Sequence, residues 1–142
     1  MNDPAHIRDM LGDPRHGQPR TLAVIGLSDN PSKPSHSVSA YMQSQGYRIL
    51  PVNPALNPAV PILGEKPYAS LADLPVTPDV VNVFRLPRFI PAIVDEMIAL
   101  KLRDLWVQLG IRNPEAATHA EAHGLRVVMD RCILIEHRRL GL

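Results

Sequence analysis

Residues 26–35, GLSDNPSKPS, carry one glycine, two prolines, three serines, an asparagine, an aspartate and a lysine in ten positions. They stand between the apolar run TLAVI, 21–25, and a segment with helical periodicity. Ser28, Asn30, Ser32 and Ser35 are short hydrogen-bonding side chains, and Lys33 adds a positive charge. Amides at the start of a following helix, together with its dipole, favour an anion at such a place. The chemistry these residues could do is therefore phosphate binding. The same residue types also make an ordinary turn with a serine cap, so position in the fold must decide between the two.

The identity of a phosphate ligand is constrained by what is missing. A dinucleotide fingerprint reads G-x-G-x-x-G, and the second and third glycines are here Ser28 and Pro31. That fingerprint also places an acid near the end of the second strand to hold ribose hydroxyls, where this chain has Asn53 followed by Pro54. Lys33 suits a more heavily phosphorylated nucleotide than NAD. No G-x-x-x-x-G-K-[ST] loop occurs, so an ATPase or GTPase reading loses its main support.

Other reactive residues are scattered. Asn53 can hydrogen-bond a ligand or satisfy its own turn before Pro54. Arg85, directly after an apolar run, can face a ligand or pair with an acid such as Asp79. Trp106 and Gln108 alternate with apolar neighbours on one strand face; the tryptophan reads as core, the glutamine as lying under a helix or beside a cleft. Cys132 sits next to Arg131, which favours a thiolate able to form a mixed disulfide; a quiet packed thiol is the plainer reading. His119 and His123 are one helical turn apart, but Glu121 lies mid-span and no third ligand is near, so no metal site is expected. His36 stands where it could assist phosphate binding. No Ser–His–Asp set can be assembled, and no catalytic residue is assigned.

The elements that must position these groups follow from periodicity and caps. Asp3 caps a short helix over 3–11 with Pro4 at its first position, and 12–20 reads as a loop. Buried-type strands are expected at 21–25, 48–52, 80–84, 105–109 and 125–129. Ser35 is the expected cap of a helix with Val38, Tyr41 and Met42 on one face, stopped by Gly46. An extended piece and a turn begun by Ser70 fill 62–75. Ile90, Ile93, Val94 and Met97 mark an amphipathic helix, and Asn113 with Pro114 opens another that runs to about His123 before Gly124. The tail from Asp130 is expected to turn or form a last short helix. Alternating strands and helices give an α/β fold: a single Rossmann-like doubly wound domain with a mainly parallel five-stranded sheet and helices on both faces. Residues 1–20 form a helix and loop packed on a domain spanning 21–142.

Bulk properties agree with one globular unit. The 142 residues are 45% hydrophobic and 20% charged, with a formal net charge of +1, which gives no reason to expect capture of nucleic acid or anionic membrane. The single cysteine excludes an internal disulfide, the acidic N-terminus is not a secretory signal, and no apolar run approaches a membrane span. A cytoplasmic setting is the default expectation. Many of the fifteen prolines flank apolar runs, as turns at strand ends do.

In order and spacing, AVIGLSDNPSKPSHSV, GYRILPVNP, VVNVFR, LWVQLGIRN and VVMDRCI resemble the small stand-alone CoA-binding domain proteins. The resemblance runs from Thr21 to His137; these proteins are similar to the CoA-binding domain of the succinyl-CoA synthetase α subunit, a Rossmann-like fold. It implies that the loop Gly26 to Ser35, with Leu27, Ser28, Asn30, Lys33 and Pro34, wraps the phosphates of coenzyme A. It also implies that Asn53 and Pro54 border the adenosine and that Phe84 and Arg85 lie near the pantetheine path, with Gly110 at the junction after the fourth strand. Where this chain has Lys33 the family frequently has arginine; lysine keeps the charge and lacks the planar fork. The expected function is a non-catalytic module that binds or senses CoA or an acyl-CoA, with no protein partner assigned. The alternatives are an NADP-type oxidoreductase and a subunit of an acyl-CoA synthetase complex. Such ligases use a histidine on a second domain, for which 142 residues leave no expected room.

Overall fold

The structure is a computed structural model, described for residues 1–17 and 20–142. Residues 18 and 19, part of the loop expected at 12–20, lie outside the described residues. Five strands form the sheet: β1 Thr21–Ile25, β2 Arg48–Val52, β3 Val80–Val83, β4 Asp104–Val107 and β5 Arg126–Met129. Five helices accompany them: α1 Pro4–Leu11, α2 Pro34–Ser44, α3 Ile90–Ala99, α4 Pro114–Ala122 and α5 Ile133–Arg139. The sheet is parallel throughout, in the order β2-β1-β3-β4-β5. The α/β, Rossmann-like architecture expected from the alternation of elements is the one observed.

Strand alternation sorts the core onto two faces. Ala23, Ile25, Val81, Val83, Leu105, Val107, Val127 and Met129 meet α3 and α4 through Ile90, Ile93, Val94, Met97, Ala116, Ala117 and Ala120. Leu22, Val24, Ile49, Val80, Trp106 and Val128 meet α1, α2 and α5 through Ile7, Met10, Leu11, Met42 and Ile133. Burial of each large aliphatic contributes about 1.5–3 kcal/mol, so both layers are needed for a parallel sheet to stand in water. Trp106 has no exposed surface, and its indole N–H donates to the Arg131 carbonyl at 2.9 Å, which resolves it as core.

Local signals behave as their chemistry requires. Asp3 accepts from the Ala5 amide at 2.8 Å, and Asn113 accepts from the Ala116 amide at 3.0 Å. The helix expected to start at a Ser35 cap begins two residues earlier. Pro34 takes the first helical position, where its fixed φ fits and its missing N–H is not required, and Lys33 becomes the cap without a side-chain bond. The strands expected at 80–84, 105–109 and 125–129 are shorter. Phe84, Gln108 and Leu109 leave their strands at the sheet's carboxyl edge, and Leu125 precedes β5.

One polar cluster lies buried between α2 and α5. His137 is 1% exposed; its Nδ1 hydrogen-bonds the Tyr41 hydroxyl at 3.0 Å, and its Nε2 has no partner. Tyr41 and Tyr47 meet the ring edge-on, and the Tyr47 hydroxyl donates to the Leu11 carbonyl at 2.7 Å. Burial holds the imidazole below its ordinary range, Arg15 adds to that, and Asp13 opposes it. A base whose folded pKa lies below its unfolded value stabilises the fold above the unfolded value, about 6.5, and that stability is lost as pH falls through the folded value. The urea midpoint is therefore expected to be level near pH 7 and to decline on acidification from about pH 6.5 towards 5. His137→Gln should flatten that decline; a wild-type midpoint that stays level over this window would contradict it.

Candidate functional site

The strand order itself opens a site. The chain leaves β1 for β2 on one side, then crosses to β3 on the other, so the connections after β1 and β3 diverge at the sheet's carboxyl edge. In doubly wound sheets a ligand crevice forms at that switch point. A cavity of about 630 Å³ lies there. Its walls come from the β1–α2 loop (Gly26, Ser28, Lys33, Pro34, Ser35), the exits of β3 and β4, and α5.

Gly26 makes the crossing possible. Its φ is 86°, and its amide donates to the Val52 carbonyl at 2.9 Å, which ties the end of β1 to β2. A Cβ built on it would stand 2.6 Å from the Phe84 carbonyl oxygen and 3.0 Å from Arg85 Cδ. Only glycine lets the two exits pass this closely.

The loop that follows is closed largely on itself. Ser35 Oγ accepts from the Ser28 amide at 3.0 Å, Ser28 Oγ from the Asn30 amide at 3.0 Å, and Asn30 Oδ1 from the Ser32 amide at 3.0 Å and the Ser32 hydroxyl at 2.8 Å. The Lys33 amide donates to the Asn30 carbonyl at 3.0 Å. Among the described residues, the amides of Leu27, Asp29 and Ser35 have no protein acceptor. The serines and Asn30 are thus chiefly the loop's own scaffold, and the Ser35 side chain pins it to the first turn of α2.

Two cations remain for an anion. Lys33 and Arg85 line the cavity, form no ion pair among the described residues, and share the lining with no carboxylate. Arg85 lies with its guanidinium carbon 4.0 Å from the Phe89 ring centre, a cation–π contact that holds the side chain beside the cavity. Asp79, the other partner considered for Arg85, is at the opposite end of β3 and accepts from the Thr21 amide at 2.8 Å. Gln108 is 3% exposed, lines the cavity and donates from its amide nitrogen to Asn82 Oδ1 at 2.8 Å, so it is both buried and beside the cleft.

Of the residues singled out in the sequence, Gly26, Ser28, Lys33, Pro34, Ser35, Phe84 and Arg85 converge on the cavity, whereas Leu27, Asn30, Asn53, Pro54 and Gly110 are not in its wall. Leu27 is fully buried and packs in the core. Asn53 commits both ends of its amide, donating to the Leu27 carbonyl at 3.2 Å and accepting from the Ala55 amide at 3.0 Å. Pro54 is exposed. The Gly110 amide donates to Asp130 Oδ1 at 2.7 Å, a bond that, with Arg112 nearby, keeps the Asp130 carboxyl below its usual range. The wall also holds Val38, Leu86, Leu109, Ile111, Cys132 and Ile135. Leu86, Leu109, Ile111 and Cys132 follow strand ends, which is a signal in the sequence, whereas Val38 and Ile135 stand within α2 and α5 and carry none. Arg131, beside the half-buried Cys132, pairs with Glu136 at 3.4 Å. His119 and His123 lie with ring centres 4.5 Å apart and planes tilted by 54°, and His119 pairs with Asp95 at 3.5 Å.

Comparison with known proteins fits this geometry. A family model described as "CoA binding domain" matches residues 20–138. The uncharacterized protein YneT of Bacillus subtilis (strain 168) is 40% identical over 118 residues, covering 83% of this chain and 85% of that protein. A Thermus thermophilus structure titled cell-free ID.343 is 39% identical, with a TM-score of 0.84 and coverage of 99% of both chains. A hypothetical protein from Pyrococcus horikoshii OT3 is 31% identical, with a TM-score of 0.86, covering 99% of this chain and 93% of that one. An acetyl-coenzyme A synthetase of Ca. Korarchaeum cryptofilum shares the fold at 20% identity and a TM-score of 0.65, over 78% of this chain and 26% of that one. The chain belongs to the CoA-binding domain family.

The close approach at Gly26 carries a direct expectation. Gly26→Ala combines a left-handed backbone, about 1–3 kcal/mol, with a clash against the Phe84 carbonyl. Gly124→Ala has the same backbone cost at φ 85° but open space around the new methyl. Gly26→Ala should lower the melting temperature by several degrees more than Gly124→Ala; equal losses would show that the crossing of β1 and β3 is not tightly constrained.

Proposed function

We propose that this chain, as a member of the CoA-binding domain family, binds coenzyme A or an acyl-CoA in the cavity at the β1–β3 switch point, and that it acts as a non-catalytic binding or sensing module. The single observation that supports this reading best is the pairing of two uncompensated cations, Lys33 and Arg85, with a loop that comes within contact of β3 at Gly26. The free amides of Asp29 and Ser35 are the remaining donors for phosphate oxygens. A ligand with several phosphates and a long uncharged arm matches a cavity that is cationic at one end and apolar at the other. The residues fit coenzyme A in that sense. Lys33, Arg85 and the loop amides would hold the diphosphate, and the arm would run past Phe84 towards Cys132. This reading puts the adenosine outside the cavity, against exposed Pro54, with Asn53 as the brace that fixes the loop beneath it.

The absence of an acid at Asn53 and of the second fingerprint glycine weighs against a nicotinamide ligand. Among the described residues, no general base or nucleophile with an accompanying orienting group lines the cavity, which favours binding over chemistry. Among the described residues no helix is long and apolar enough to cross a membrane.

A thermal-shift series with CoA, acetyl-CoA, NAD, NADP and ATP tests the reading. Ligand at about 100 times its dissociation constant adds about 2.7 kcal/mol. CoA species should raise the melting temperature clearly, with little effect of NAD; a larger shift with NADP would move the assignment to 2′-phosphorylated dinucleotides. Lys33→Ala and Arg85→Ala should each weaken CoA by about 1–2 kcal/mol, roughly five- to thirtyfold in Kd, as loss of a charge-assisted hydrogen bond does. Unchanged affinity in both variants would remove the cationic end from the site.

A further inference from the structure

Seven large apolar side chains are exposed among the described residues, and three of them, Leu86 at 55%, Leu109 at 60% and Ile135 at 46%, lie on the wall of this one cavity. They arrive from three places in the chain: the exit of β3, the exit of β4 and the outer side of α5. Val38, Ile111 and Cys132 fill the space between them. Scattered exposed aliphatics are ordinary, but convergence of several on one concave surface marks a place where apolar matter is bound.

The display of Leu109 is fixed by its neighbours. The Ile111 amide donates to the Gln108 carbonyl at 3.1 Å, and the Gly110 amide to Asp130 at 2.7 Å, so the turn holds Leu109 outward on both flanks. Gln108, the polar side chain at this end, has its amide nitrogen committed to Asn82. The cavity thus offers methyl and methylene surface in the same groove as Lys33, Ser28 and Arg85. Concavity suits a run of methylenes better than the flat face of a second protein.

We infer that the ligand is an acyl-CoA whose apolar acyl chain lies along Leu86, Leu109, Ile111 and Ile135, so that the protein discriminates acylated from free coenzyme by chain length. This rests on the CoA reading above and names the group carried on its thiol end. The thioester needs no chemistry from the protein; binding alone selects it.

Calorimetric titration of the full chain with CoA, acetyl-CoA, butyryl-CoA and octanoyl-CoA tests the inference, with free octanoate as a control for unspecific uptake. A fully buried methylene tightens binding about three- to fourfold, and in this half-open groove octanoyl-CoA should bind at least about tenfold tighter than acetyl-CoA. In Leu109→Asn/Ile135→Asn, both exposed positions, the ratio of acetyl-CoA to octanoyl-CoA dissociation constants should fall towards one. If CoA binds and octanoyl-CoA is no tighter, the chain inference fails while CoA binding stands; the pantetheine arm then covers these residues itself. If no CoA species binds, both fail. A gain with octanoyl-CoA that survives in the double variant would place the chain elsewhere and overturn the inference. So would a dimer in sedimentation that the double variant dissociates, because a second copy would then occupy the groove.

Discussion

The backbone at Gly26 has to pass within contact distance of the Phe84 carbonyl, and the site is arranged around that crossing. β1 is hydrogen-bonded to both β2 and β3, and its last residues hand on bonds to each: the Gly26 amide to Val52 and the Phe84 amide to the Ile25 carbonyl, both at 2.9 Å. With the exits of β1 and β3 fixed together at their roots, the loops that leave them must separate in opposite directions. The cavity is the space this separation leaves. Its location is therefore a consequence of strand order, and the side chains around it decide only what enters.

The loop after Gly26 shows how short polar residues are divided between self-support and recognition. Ser28, Asn30 and Ser35 satisfy loop amides with their side-chain oxygens. Each such bond rigidifies the segment and removes a donor that a ligand would otherwise meet. Rigidity has value in binding because less ordering remains to oppose association. What the loop then presents is a small set of amides and the Lys33 ammonium, backed across the cleft by an Arg85 guanidinium that rests on Phe89. The polar density that makes 26–35 conspicuous as a sequence is thus mostly scaffold, and Lys33 is its one cation on the cavity wall.

The fold was readable because each strand is a near-continuous apolar run and α1 and α4 carry their own capping residues. Asp3 and Asn113 cap as their types require, and Ile90, Ile93, Val94 and Met97 all point inward. Helix and strand ends were less readable. Pro34 drew the start of α2 forward of Ser35, and β3 and β4 stop short of the apolar runs that encode them. That second difference matters for the site. Phe84, Gln108 and Leu109 look like strand interior in the sequence because hydrophobic runs do not record where pairing ends, yet they leave the ladder and form the cavity wall. The cationic loop could be found from local residue types. The apolar wall could not, since Val38, Leu86, Leu109 and Ile135 are brought together only by the order of strands and the return of α5 across the sheet's edge.

Asn53 illustrates the limit from the other direction. Its type and place after β2 suit a ligand contact and a turn equally well, and both uses need the same amide. In the folded chain its nitrogen reaches the Leu27 carbonyl and its oxygen the Ala55 amide, so the side chain spans from the β2 exit to the β1 exit. An acid at this position would have no N–H to give Leu27 and would break the bond that joins the β2 exit to the β1 exit. The residue that excludes a ribose-binding carboxylate here is therefore the same one that ties the two exits together. The lack of a carboxylate here and the support of the loop after β1 both follow from one amide.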